Sequence, residues 1–146
     1  MNDLLDLIQK KYGALCQFCP PLEEAQYRAA QAMLPADLFE LLKISNGVLE
    51  LMTHPKANDG KPFVIGSILY SFEDMCIESG FFAEQFGKEG LAIAGNGAGG
   101  YFIMNPDGTI DLYEYIGEAG ERYAENLALQ SIQDFLPQCR SSGRTI

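Results

Sequence analysis

The chain of 146 residues and 16.1 kDa has the length of one domain, enough to bury roughly 68–70% of its unfolded surface without metals or disulfides. With 47% hydrophobic and 21% charged residues and a mean hydropathy of −0.04, it has the composition of a soluble globular domain and not of a disordered or fibrous one. Ten Lys and Arg against 20 Asp and Glu give a net charge of −10, which disfavours nucleic-acid backbones and anionic membrane surfaces; no apolar run reaches the roughly 18 residues of a spanning helix.

In chain order, Asp3 and Asp6 stand where a secretory signal carries positive charge, so the expected location is the cytoplasm. Leu4, Leu5, Ile8 and Tyr12 recur at helical spacing. Pro20-Pro21-Leu22-Glu23-Glu24 opens a second helical run to Met33, with proline and acids where a helix start favours them. Leu34-Pro35-Ala36-Asp37 starts a third, with Leu38-Phe39 and Leu41-Leu42 as its apolar face and Ser45-Asn46-Gly47 as its stop. Val48 to Leu51 and Phe63 to Tyr70 read as strands around the polar loop His54 to Lys61. Ser71-Phe72-Glu73-Asp74 begins a helix running to about Phe86.

Leu91 to Ala94, Tyr101 to Met104 and Thr109 to Tyr115 form an antiparallel meander, joined by a Gly-rich turn and by Asn105-Pro106-Asp107-Gly108. A terminal helix near Ser131 to Cys139, with Ile132, Phe135 and Leu136 inward, completes a single α+β domain; Ser141 to Ile146 are expected to fray.

Three local motifs invite chemical readings. Gly95-Asn96-Gly97-Ala98-Gly99-Gly100 matches G-x-G-x-x-G after a strand. A dinucleotide site needs a helix next, whereas Tyr101-Phe102-Ile103-Met104 reads as a strand, so no cofactor is expected. Cys16-Gln17-Phe18-Cys19 lacks the second ligand pair of a zinc site and sits between two expected helices, so inert packing is the simpler reading and no metal is assigned. The four cysteines, with Cys76 and Cys139, are too scattered for a disulfide scaffold, as in a reducing compartment. His54 is the only histidine and lies in a polar loop.

Charge is segregated more sharply than any motif. Residues 73 to 125 hold eleven acids against Lys88 and Arg122, a local net of 2 − 11 = −9. If Asp111, Glu114, Glu118, Glu121 and Glu125 share one side with Tyr113, Tyr115 and Tyr123, they form an acidic, tyrosine-bearing interface for a basic protein. The expected partner-binding residues are Asp111, Tyr113, Glu114, Tyr115, Glu118, Glu121 and Glu125. The other reading is that these acids keep a small domain soluble.

Leu34-Pro35-Ala36-Asp37-Leu38 followed by Ser45-Asn46-Gly47, then Ile65-Gly66-Ser67-Ile68-Leu69, then Leu91 to Ile103 with its Gly-containing turn, and finally Ser131-Ile132-Gln133-Asp134-Phe135-Leu136 resemble, in order and spacing, the SUKH superfamily of cell-wall-synthesis regulators and bacterial immunity proteins. The resemblance spans about residues 22 to 137. It implies helices around a bent, mostly antiparallel sheet, and binding without catalysis, typically of a toxin that is often a nuclease. It carries over no site residue. A regulatory scaffold of the same fold, and a small ligand-binding or enzymatic domain using Gly95 to Gly100, are the alternatives.

Overall fold

The computed structural model describes residues 3–95, 100–106, 109–113 and 141–145. Helix α1, Asp3–Tyr12, buries Leu5, Ile8 and Tyr12 along the stripe that their spacing predicts. A single 3-10 turn, Gly13–Leu15, leads into strand β1, Cys16–Phe18.

Pro20 and Pro21 break the expected run from Pro20 to Met33. Proline lacks an N–H and pushes the preceding residue towards extended backbone. Cys19 to Glu23 are accordingly not helical, and helix resumes as a 3-10 turn at Glu24–Gln26 and α2 at Tyr27–Met33. The extended segment is strapped to the end of the next helix, with Leu22 N donating to Leu42 O at 2.9 Å and Asn46 N donating to Pro20 O at 2.9 Å.

Helix α3, Ala36–Ile44, drives Leu38, Phe39, Leu41 and Leu42 into the core, each such burial being worth roughly 1.5–3 kcal/mol against exposure. It ends at Ser45 in extended conformation, and the reversal follows at Gly47, where φ is +101°. A Cβ at Gly47 would lie 2.8 Å from Ser71 N, so both the turn and the close approach require glycine.

Strands β2, Val48–Met52, and β3, Phe63–Leu69, form an antiparallel hairpin, with β1 on the far side of β2. The register jumps from Glu50 opposite Gly66 to Leu51 opposite Val64, and from Val48 opposite Leu69 to Leu49 opposite Ser67, so Ile65 and Ile68 are extra residues that bend β3. Helix α4, Phe72–Phe86, follows, and then β4, Leu91–Gly95, β5, Tyr101–Met104, and β6, Ile110–Tyr113, as the expected meander. Residues Ser141–Thr145, expected to fray, instead form β7 parallel to β6, a pairing that supplies the backbone partners their sequence gives no hint of. The closing helix expected over 131 to 139 lies outside the described residues.

The result is an α+β fold whose mostly antiparallel strands divide into two sheets, ordered β1-β2-β3 and β4-β5-β6-β7. They meet where Tyr70 N donates to Ile93 O at 2.8 Å. One large core joins α1, α3 and both sheets. A smaller one lies between α4 and the second sheet, where Phe82 meets Tyr113 at 4.7 Å and Phe86 at 5.2 Å, in contact with Ala92 and Ile103.

Candidate functional site

The Ser45-Asn46-Gly47 turn connects three parts of the chain. Ser45 Oγ lies 2.8 Å from Gly47 O and 3.2 Å from Cys19 O, both within reach of its hydroxyl proton, and Cys19 N donates to Gly47 O at 3.2 Å. Asn46 Oδ1 accepts from Phe72 N at 2.8 Å, satisfying one of the open N–H groups at the start of α4. Ser71 is the N-cap that the sequence predicts, its Oγ accepting from Asp74 N at 3.1 Å.

These contacts frame an open cleft of about 310 Å³ between the Cys19 to Glu23 strap and the first turn of α4, at the small end of ligand pockets, which run to about 300–1,000 Å³. Pro20, Pro21, Leu49 and Leu69 give it apolar surface, and Glu23, Glu73 and Asp74 give it charge. Gln26 Nε2 donates to Glu73 Oε1 at 3.2 Å, and no Lys or Arg is among the described residues that line the cleft. Asn46 and Ser71 already occupy N–H groups that an anion at the helix start would use, and Glu73 and Asp74 repel one. An apolar wall beside carboxylates suits a cation on an alkyl stem, as in a lysine or arginine side chain.

Cys19 lines the cleft, and burial first, then the nearby Asp74 charge, push its thiol above the ordinary cysteine value; burial alone does the same to Cys16. Both shifts run opposite to the lowered values of reactive C-x-x-C thiols. The motif lies between the first two helices, as expected, on and just after β1, where pairing of Cys16 with Glu50 on β2 makes it part of a sheet edge.

Two of the expected interface residues are corrected. Asp111 is 2% exposed and Tyr113 6% exposed, because β6 is covered on both faces. Asp111 stands opposite Ile103 and accepts from Asn105 Nδ2 at 3.0 Å, while Tyr113 packs on Phe82 and Phe86 with Lys88 Nζ 5.0 Å from its ring. They hold the fold and do not form open contact surface. Glu114, Tyr115, Glu118, Glu121 and Glu125 lie outside the described residues.

His54 is exposed and its Nδ1 accepts from Lys56 N at 3.0 Å, a contact within its own loop. A Cβ on Gly95 would meet Tyr70 Oη at 2.5 Å, so packing against Tyr70 favours glycine here; Gly97 and its neighbours 96, 98 and 99 lie outside the described residues. Among the described residues no three His, Cys, Asp or Glu side chains converge as metal ligands, and no helix is long and apolar enough to cross a membrane.

The cleft acids escape sequence reasoning because Glu23 and Glu73 stand far apart in the chain and each reads locally as a helix-start residue. No family model, curated protein or solved structure matches the chain.

Proposed function

We propose that this protein is a cytoplasmic, non-catalytic binding protein of the immunity type, which neutralises a toxin by covering its basic site. The observation that carries this reading is the cleft at the first turn of α4, where Glu23, Glu73 and Asp74 surround apolar walls with no neutralising base among the described residues that line it. A nuclease presents lysines and arginines to phosphate, and the same charges are attracted to such a cleft. The SUKH-like order of motifs supports the same class, and no cofactor is needed. Asp111 and Tyr113 leave the contact set, while Glu114, Tyr115, Glu118, Glu121 and Glu125 remain in it on charge alone.

The test is capture of polypeptides at low and high salt by the native protein and by a Glu23→Lys, Glu73→Lys, Asp74→Lys variant, followed by association kinetics with the captured partner and assay of the partner's own activity. A basic partner that is inhibited by the native protein and associates at least about tenfold more slowly with the variant is expected. An acidic partner, or association indifferent to both salt and charge reversal, overturns the reading.

A further inference from the structure

The outer face of helix α4 shares Glu73 and Asp74 with the cleft and runs on beyond it. Phe72, Met75 and Phe82 point into the protein, yet Ile77 is 54% and Phe81 53% exposed, one turn apart on the outer side. Gly80 lies beside them, also exposed, in the interior of a helix where glycine is unfavourable. Among the described residues nothing asks for it: its φ is not positive, and an added Cβ would have no neighbour within 4 Å. A missing side chain beside two exposed apolar ones leaves a shallow notch along their flank, into which another backbone or side chain can approach closely.

The charge around this face selects its occupant. Glu73, Asp74 and Glu84 lie on the same side of the helix within about two turns of Ile77 and Phe81, and α4 contains no Lys or Arg. Two copies of the chain meeting here would bring these carboxylates together, and an anionic lipid surface would be repelled. A segment with an apolar stripe flanked by lysine or arginine satisfies both requirements. We infer that the outer face of α4 is a docking surface for a basic amphipathic helix of a protein partner, with Ile77 and Phe81 as apolar anchors and Gly80 as the point of closest approach. This deepens the reading above, from which it takes the basic character of the partner, and adds a contact surface next to the cleft.

The probe is a fluorescent helical peptide of leucine and lysine with its leucines on one face, compared with a peptide of the same composition in which they are dispersed, each titrated into the full chain and followed by anisotropy. The amphipathic peptide is expected to bind at least about tenfold more tightly than the dispersed one, and Ile77→Ser with Phe81→Ser is expected to abolish that preference. Gly80→Leu, whose Cβ would meet no atom within 4 Å, is expected to abolish it too while leaving the melting temperature intact or raised.

Equal binding of both peptides, lost in Glu73→Lys with Asp74→Lys but untouched by Phe81→Ser and Gly80→Leu, overturns this surface and leaves the cleft reading standing. Binding of neither peptide overturns the surface as well, the cleft then being judged by its own partner. Self-association in the ultracentrifuge that Phe81→Ser removes assigns the face to a second copy and likewise overturns the proposal.

Discussion

Phe81 and Phe82 are neighbours in one helix with opposite surroundings. Phe82 is 0% exposed and contacts three aromatic rings, whereas Phe81 is 53% exposed and serves no core. The inner face of α4 is therefore determined by the fold, while the outer face is free to be determined by something else. The difference shows that hydrophobicity alone assigns neither role: position around the helix does, and the outer apolar pair is flanked by Glu73, Asp74 and Glu84.

The sharpest break of this comparison is Phe82→Ala, expected to cost about 3–5 kcal/mol in denaturant unfolding, against a change within about 0.5 kcal/mol for Phe81→Ser. Equal losses from the two would show that the outer face is packed in solution. Next comes Gly47→Ala in the interior turn. The strain of φ +101° and the approach of a Cβ to Ser71 N together predict a loss of about 3 kcal/mol, visible as a lower unfolding midpoint.

Gly80→Ala sharpens the contrast in the other direction. It is expected to raise stability by up to about 1 kcal/mol, since it improves helix propensity where no neighbour is displaced. The smallest effect is expected from Glu50→Gln. Burial holds the Glu50 carboxyl above its ordinary value, so its protonated form favours the folded state and its ionised form weighs against it at neutral pH. Its contribution to stability is fully present below the ordinary carboxylate value and is lost as pH rises through the raised folded value. The variant should therefore melt slightly higher than the native protein at neutral pH, with the gap closing below about pH 4.

Much of this fold is legible in the sequence where the chemistry is local. Ser71 announces α4 because its side chain bonds a backbone N–H three residues on, and the turn at Asn105 to Thr109 closes on itself, with Asn105 N donating to Thr109 O at 2.8 Å. What depends on distant partners is not legible. β1 is three residues long and exists because β2 pairs with it, and β7 exists because of β6. Asp111 looks like a surface acid until β6 is seen to be covered on both faces, with Asn105 holding its carboxylate. The cleft is hidden for the same reason, as its walls come from the strap at Cys19 to Gln26, the Asn46 turn, the hairpin and α4.

The hydrogen bond from Tyr70 N to Ile93 O, where the two sheets meet, gives α4 a further role as a ruler. Its 15 residues span about 22 Å and carry the chain from the end of β3 to the start of β4. Each residue added to or removed from the helix would change that span by about 1.5 Å and turn everything after it by about 100°. One inserted residue would thus rotate the Phe82 side away from Ala92 and Ile103 and strain the second sheet against the first, so tolerance of length change should be lowest here and highest in the His54 to Lys61 loop.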